Sequence, residues 1–320
     1  MSIIEKAIEK LEQQAKTAGA MTTGAPLPGA AVATQREDSG GARVAHSKPE
    51  KAVIQLPLAR LNGLGMVTPD RPRSHIAEEF RLIKRPLLVN VEGQGAGAVP
   101  DANLIMVTSA VQGEGKTFTA VNLAISLSME EDRTVLLVDG DMAKASAGEI
   151  LGVPGDSPGL IDVLEHDDVG IEDVLLHTSI PNLRIIPAGQ LHERATELLA
   201  SEGMRRLVRD LSTRYPDRVV IFDSPPLLLT SEAGVLASLM GQIVFVVGAE
   251  KTPPSAITEA VARIPEDKVI GMVLNKSRSN PLQRFGYGYG YGYGYGYGYG
   301  YGEQERDAEG KVRRRVRDAG

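Results

Sequence analysis

The residues that could do chemistry begin with a glycine-rich loop near the middle of the chain. Residues 110–117 read AVQGEGKT, which fits the A/G-x-x-x-x-G-K-S/T pattern of phosphate-binding loops. In such loops the glycines let backbone N–H groups turn towards phosphates, and the N-terminus of the next helix adds partial positive charge. Lys116 would reach the β- and γ-phosphates and Thr117 would bind Mg²⁺. A glycine-rich turn without a nucleotide is the alternative interpretation. The expected nucleotide contacts in this loop are Gln112, Gly113, Glu114, Gly115, Lys116, Thr117 and Phe118.

Three aspartates follow two other apolar runs. Asp139 and Asp141 come after residues 135–138, and Asp223 comes after residues 219–222. The carboxyl ends of parallel strands share one edge of a sheet, so we expect these carboxylates to gather beside the phosphates. They would repel one another, and Mg²⁺ is the natural counter-charge. Each aspartate alone could be a helix N-cap, but their joint placement favours the metal.

A run of tyrosines alternating with glycine stands near the end of the sequence. It offers phenolic hydroxyls on a chain too rich in glycine to pack. With the phosphate loop, it suggests a protein that phosphorylates its own tail. The eight tyrosines are Tyr287, Tyr289, Tyr291, Tyr293, Tyr295, Tyr297, Tyr299 and Tyr301.

Short apolar runs alternate with helical stretches from residue 103 to residue 275. This pattern predicts an α/β fold, a doubly wound and mostly parallel sheet of the P-loop NTPase type with helices on both faces. Helices are expected after Lys116, Thr196 and Pro254. The expected strands are residues 104–108, 134–138, 183–186, 219–222, 243–247 and 269–274.

The amino-terminal region is predicted to be a helix followed by a linker. Ser2 and Glu5 form a capping-box pattern, and residues 1–16 are amphipathic. The helix could pack on its own domain or dock on another protein. Residues 17–60 are predicted to be a flexible linker because they are rich in Ala, Gly, Thr and Pro.

A second helix is predicted over residues 74–85, with Pro86 near its end. Glu78, Arg81 and Lys84 are three residues apart and therefore share one face of this helix. A solvated charged stripe is the simplest interpretation of that face.

Composition excludes several classes of function. A formal net charge of −6 argues against broad attraction to nucleic acid. The absence of cysteine rules out disulfides and thiolate metal sites, which fits a cytosolic protein. The chain starts without a secretory signal, has no apolar run of the ~20 residues that cross a bilayer, and shows no metal-ligand spacing among its histidines.

Taken together, these motifs resemble those of the bacterial tyrosine kinases. The matching segments are residues 109–117 (Walker A), residues 136–141 (a second acidic motif) and residues 221–226 (Walker B), together with the tyrosine cluster. The resemblance extends over about residues 74–301, and it looks closest to the autokinases associated with exopolysaccharide and exosortase systems. It implies a P-loop kinase domain over residues 61–285 and a disordered Tyr-Gly cluster with a charged tail over residues 286–320.

The resemblance also implies roles for individual residues. ATP and Mg²⁺ would be the cofactors, and Lys116, Asp139 and Asp141 the catalytic residues, with Asp139 deprotonating the phenol. Thr117, Asp141 and Asp223 would hold Mg²⁺, and Asn275 would contact adenine.

Assembly and partners follow from the same resemblance. Such kinases form rings through a Glu-x-x-Arg-x-x-Arg helix, which Glu78, Arg81 and Lys84 match except for the final lysine. The implied partners are a membrane co-polymerase that controls polysaccharide chain length and a cognate tyrosine phosphatase, with no nucleic acid. The protein would be cytoplasmic and recruited to the inner face of the plasma membrane.

An alternative hypothesis is a non-kinase P-loop ATPase switch that recruits partners to the membrane. ATPases of the partitioning and division-site type carry a second lysine at the position of Val111, and its absence favours the kinase. Ala143 stands where many of the kinases carry arginine, which bears on phosphate contacts and leaves Lys116 and the three aspartates untouched.

Overall fold

A computed structural model describes residues 53–95, 97–190, 195–214 and 217–277. The predicted helix over residues 1–16, most of the linker and the whole Tyr-Gly cluster lie outside these ranges. Within them, eight strands form one sheet. The strands are β1 (Val53–Ile54), β2 (Leu104–Ser109), β3 (Thr134–Asp139), β4 (Leu176–Thr178), β5 (Leu183–Ile186), β6 (Arg218–Asp223), β7 (Gln242–Gly248) and β8 (Val269–Asn275).

Helices cover both faces of this sheet. The described helices are α1 (Leu58–Gly63), α2 (His75–Val91), α3 (Lys116–Ser128), α4 (Ser146–Leu151), α5 (Leu160–Glu165), α6 (Ile171–Val174), α7 (Ala195–Leu199), α8 (Glu202–Thr213), α9 (Glu232–Leu239) and α10 (Pro254–Val261). One hydrophobic cluster lies on each face, one of them including α3 and α2 and the other α8 and α9.

The sheet is mostly parallel, which confirms the predicted fold class. Its strand order is β1-β4-β5-β3-β6-β2-β7-β8, and among these pairs only β4 and β5 are antiparallel. The central strands β2, β6 and β7 are buried along their whole length, as their unbroken apolar runs predict. All six predicted strands are present, and each bound lies within one residue of its prediction. The two additional strands, β1 and β4, have two and three residues, too few to show a periodicity.

The predicted linker ends too late in the sequence. β1 pairs with β4 in parallel, and α1 follows it with Leu61 fully buried. Leu56 is also buried. These apolar side chains fix the segment against the sheet, so ordered structure begins by Val53 rather than at residue 61.

Helix α2 extends past the proline that was expected near its end. Ser74 caps its start, accepting a hydrogen bond from the backbone N–H of Ala77 at 3.4 Å. Pro86 lies inside the helix and lacks an N–H to donate. The helix continues to Val91 because Leu87 is buried in the core and Leu88 and Val91 pack against it.

Among the described residues, none of the helices combines the length and the hydropathy that crossing a bilayer requires.

Candidate active site

The predicted site residues meet at the carboxyl edge of three neighbouring strands. β6 lies between β3 and β2, and Asp223 pairs in register with Asp139 on one side and with Val107 on the other. The backbone N–H of Gly140 donates to the carbonyl of Asp223 at 2.7 Å, which holds the two strand ends together. The phosphate loop follows β2 at the same edge. Sheet topology therefore brings the loop and the aspartates together, as the sequence pattern predicts.

Two glycines give the phosphate loop its shape. Gly113 has a φ of 83° and Gly115 a φ of 102°, both in the left-handed region that other residues rarely adopt. At Gly115 a Cβ would lie 2.0 Å from Nδ2 of Asn275. The position therefore requires glycine both for its backbone conformation and for the approach of β8.

Lys116 is paired with one of the three aspartates. Its Nζ donates to Oδ2 of Asp141 at 2.6 Å, and both side chains are buried. A buried pair of this kind is costly to desolvate and costly to break from one side only. The ammonium group is thus held at the start of α3, where a phosphate would meet the first backbone N–H groups of the helix.

The two carboxylate oxygens of Asp139 differ in their hydrogen bonding among the described residues. Oδ2 accepts backbone hydrogen bonds from Ala147 at 2.9 Å and Gly148 at 3.3 Å. Oδ1 is buried with no hydrogen-bond partner among the described residues. Burial raises the pKa of Asp139 to about 6, and the charge of Asp141 adds to the rise while the two backbone N–H groups oppose it.

Asp223 is fully buried, and neither of its carboxylate oxygens has a hydrogen-bond partner within the described part of the chain. Burial raises the pKa of Asp223 to about 8, with the charge of Asp139 adding to the rise. The nearby Lys116 and Thr117 oppose it. Orphaned buried carboxylate oxygens normally mark a place where a cation or another polar group belongs.

The donor set fits Mg²⁺ held jointly with a nucleotide. In the described ranges no three Asp, Glu or His side chains form a ready-made metal cluster. Mg²⁺ usually takes only one or two carboxylates and completes its shell with phosphates and water. Asp223, Asp141 and the hydroxyl of Thr117 match that requirement in type. The Thr117 hydroxyl lies 3.3 Å from that of Ser146.

The side chain of Glu114 fastens the phosphate loop to the end of β7. It is buried, with Oε2 accepting from the N–H of Val111 at 2.7 Å and Oε1 from the N–H of Gly248 at 3.0 Å. Oε1 also accepts from the hydroxyl of Thr252. Glu114 was predicted as a nucleotide contact, but in this structure its carboxylate holds the loop in place.

The end of β8 is also bonded to the phosphate loop. Nδ2 of Asn275 donates to the carbonyl of Glu114 at 2.8 Å, and Nζ of Lys276 donates to the carbonyl of Gly113. Sequence reasoning gave Lys276 no role, although it directly follows Asn275. The role of Asn275 at adenine stays a prediction, and the structure adds a contact with the loop.

The ring of Phe118 is half-buried and packs against other apolar side chains. It lies 6.4 Å from that of Phe80, with an angle of 60° between the ring planes. It packs against the hydrophobic cluster on that face of the sheet. The role of Phe118 at the nucleotide stays a prediction.

Comparisons with known proteins identify the family. A profile described as an AAA domain matches residues 102–248. A putative tyrosine-protein kinase, CapB of Staphylococcus aureus, is 28% identical over 65% of this chain and 87% of its own. The tyrosine-protein kinase YwqD of Bacillus subtilis is 28% identical over 68% of this chain and 87% of its own.

The structural comparison agrees. The BceF tyrosine kinase domain superposes with a TM-score of 0.55 at 25% identity, covering 69% of this chain and 91% of that domain. This chain belongs to the bacterial tyrosine kinase family. The predictions of the family and of the enzyme class are therefore confirmed, and the P-loop of this kinase is a nucleotide-binding element.

The predicted interface helix of the kinase needs one correction. Glu78 is exposed and Arg81 is half-exposed, and the two side chains form an ion pair. Arg81 also donates a hydrogen bond to the carbonyl of Pro72. Lys84 is instead buried, where its Nζ bonds Glu130 at 2.6 Å and the carbonyl of Ser126 at 2.7 Å. Lys84 thus supports the packing of α2 on α3 and is not available to a second subunit in this geometry.

Proposed function

We propose that this kinase is an ATP- and Mg²⁺-dependent autokinase that transfers the γ-phosphoryl group to the tyrosines of residues 287–301. The observation that carries the proposal is the buried cluster of Lys116, Asp139 and Asp223 at the phosphate loop. Acceptor hydroxyls are close in sequence, because Tyr287 comes ten residues after Ser277, the last described residue. The contact of Lys276 with the loop brings the chain to the nucleotide edge just before that segment.

Nucleotide and metal would be bound by the groups already described. Lys116 would exchange its bond with Asp141 for the β- and γ-phosphates, which leaves Asp141 able to face the metal directly or through water. Thr117 and Asp223 would complete the protein's share of the Mg²⁺ ligands. Bound Mg²⁺ supplies neutralisation of the charge that develops on the transferring phosphoryl oxygens.

Asp139 is the group best suited to take the phenolic proton. A phenol has a pKa of ~10, so it needs a positioned base to attack at neutral pH. Asp139, with a pKa of about 6, is largely ionised there, and its Oδ1 has no hydrogen-bond partner among the described residues. The carboxylate also borders a cavity of about 160 Å³ beside residues 153–155, Ser157 and residues 187–189.

In the proposed phosphoryl transfer, each bond that forms is matched by a bond that breaks. The phenolic proton passes to Oδ1 of Asp139 while the phenolic oxygen bonds the γ-phosphorus. The bond from that phosphorus to the β,γ-bridging oxygen breaks, and ADP leaves. The Tyr-Gly repeat would present several hydroxyls to one site in turn.

Modification of the segment would regulate assembly. Each phosphate adds about −1.5 to −2 charges at pH 7, so several would repel one another. We propose that this repulsion cycles the kinase between ring-like and dispersed states, and so controls exopolysaccharide synthesis or export. A membrane co-polymerase would recruit the kinase, and a tyrosine phosphatase would reset it. The resemblance to exopolysaccharide-associated autokinases supports these partners.

The direct test is intact-mass spectrometry of the full chain after incubation with ATP and Mg²⁺. The wild type should gain mass in steps of one phosphate, and Lys116→Ala should gain none. Equal uptake by both chains would contradict the proposal. If neither chain gains mass, the measurement is repeated with a cytoplasmic segment of the membrane partner, and no uptake there would also contradict it.

A further inference from the structure

The last strand of the sheet has an open, apolar edge. Among the described residues, β8 pairs only with β7. It is seven residues long, whereas the strand at the other edge, β1, has two. Native proteins usually shorten, charge or cover their sheet edges, because a long apolar edge invites pairing with another strand. The seven-residue edge of β8 is therefore expected to have a strand of its own to pair with.

A groove runs along this edge beneath α2. It encloses about 500 Å³ between the two elements and is bordered by Ile76, Phe80 and Leu82 of α2 and by Val273 of β8, whose side chain lies on the same face of the sheet as α2. Leu82 is 74% exposed, and Ile76, Ile83 and Val273 are only partly buried there. Such a surface suits an extended segment that offers apolar rings along one side.

The Tyr-Gly segment of residues 287–301 has the required pattern. Alternate residues of a strand point to opposite faces, so this sequence would place every ring on one face and every glycine on the other. The seven positions of β8 could pair with about half of the repeat, which places about four rings in the groove.

The segment is also within reach. Ser277 borders the groove, and nine residues, 278–286, separate it from Tyr287. A chain of that length spans at most ~30 Å, enough to turn back along β8. A short tether of this kind gives an effective concentration of the order of mM, which favours pairing within one chain.

We propose that the unmodified Tyr-Gly segment pairs with β8 of its own chain as an antiparallel edge strand, with its rings in the groove beneath α2. Docking keeps these hydroxyls away from the phosphate loop. Phosphate groups would fit poorly against the apolar side chains of the groove and against Glu79, since the lysine that borders it, Lys276, already bonds the carbonyl of Gly113, so modification releases the segment. The release rests on the proposed autokinase function, whereas docking itself does not.

Disulfide trapping tests the docking, because the natural chain has no cysteine. Leu82→Cys is combined with Tyr291→Cys in a full chain that also carries Lys116→Ala, so that no phosphate is transferred. The matched control keeps Tyr291→Cys and Lys116→Ala but carries Val53→Cys in place of Leu82→Cys. Val53 is 49% exposed and lies on the strand at the opposite edge of the sheet. Both proteins are oxidised with copper phenanthroline, and the products are separated by gel electrophoresis without reductant.

We expect an intrachain disulfide that forms at least about tenfold faster with Leu82→Cys than with Val53→Cys, as proximity predicts. Equal rates would overturn the proposal. A mainly interchain product would also overturn it, because the groove would then take a second copy's segment.

The same cysteine pair with Lys116 restored tests release. Phosphorylation by ATP and Mg²⁺ should lower the yield of the intrachain disulfide, and an unchanged yield in a chain shown to carry phosphate would overturn release. A chain that takes up no phosphate would contradict the autokinase function and leave the docking result standing.

Discussion

Asp139 and Asp223 stand opposite each other in register on neighbouring strands, and both side chains are fully buried. Burial raises the pKa of Asp139 to about 6 and that of Asp223 to about 8, and the charge of Asp141 adds to the first rise and that of Asp139 to the second. At neutral pH the pair therefore retains a proton, mainly on Asp223, while Asp139 can accept one. The surroundings of the two aspartate side chains therefore give them different protonation states at neutral pH.

The first prediction concerns stability and pH. The folded pKa of Asp223, about 8, lies above the ordinary value of 3.8, so the folded chain holds a proton that the unfolded chain has released between these values. The free energy of unfolding must then fall as pH rises from about 4 to about 8. The unfolding temperature without nucleotide should fall over that interval in the wild type and fall less in Asp223→Asn. Parallel curves for the two chains would contradict the buried, protonated state of Asp223.

Replacing the proposed base should slow transfer without weakening nucleotide binding. Asp139→Asn keeps the size of the side chain and an oxygen able to accept from Ala147 and Gly148. We expect the single-turnover rate of tyrosine phosphorylation to fall by about 10²–10⁴-fold, the usual contribution of a general base. The dissociation constant for ATP, measured by calorimetry, should change little. A variant that phosphorylates at the wild-type rate would remove Asp139 from the proton transfer.

The carboxylate of Glu114 should matter for the shape of the phosphate loop. Glu114→Ala would leave the N–H groups of Val111 and Gly248 and the hydroxyl of Thr252 without their acceptor. Each unsatisfied buried group costs about 1–3 kcal/mol, so the unfolding free energy and the affinity for ATP should both fall. Thr252→Val removes only one of the bonds and serves as the matched control. Equal effects in the two variants would show that Glu114 does not hold the loop through Gly248 and Val111.

The residues of the interface helix should separate into two groups. Lys84→Met removes a buried ammonium from Glu130 and from the carbonyl of Ser126, and it should lower the unfolding free energy by about 1 kcal/mol. The oligomer mass, measured by light scattering, should stay the same. Arg81→Ala lies on the exposed part of the helix and should reduce the oligomer mass with little loss of stability. Loss of assembly in Lys84→Met at unchanged stability would contradict this division.

Local patterns in the sequence predicted the fold and the placement of the aspartates. The unbroken apolar runs before Asp139 and Asp223 identify buried parallel strands, and strands of that kind end at a common edge. The phosphate loop is equally local, since its glycines and Lys116 lie within four residues. These features depend on near neighbours in sequence, so a single chain suffices to find them.

Features that depend on distant partners could not be found in this way. Glu114 bonds Gly248 across 134 positions, and Lys84 bonds Ser126 across 42. The local sequence around Glu114 and Lys84 gives no sign of these distant partners. Pro86 is a similar case, because its tolerance inside α2 comes from packing of the following turn on the core.

Phosphoryl transfer to the Tyr-Gly segment is tested by mapping phosphotyrosine with tandem mass spectrometry. The chain has nine tyrosines, eight in the repeat and Tyr215 outside it, which provides an internal control. After incubation of the full chain with ATP and Mg²⁺, we expect phosphate on residues 287–301 that depends on Lys116. Phosphate confined to Tyr215, or phosphate on the repeat in Lys116→Ala, would contradict it.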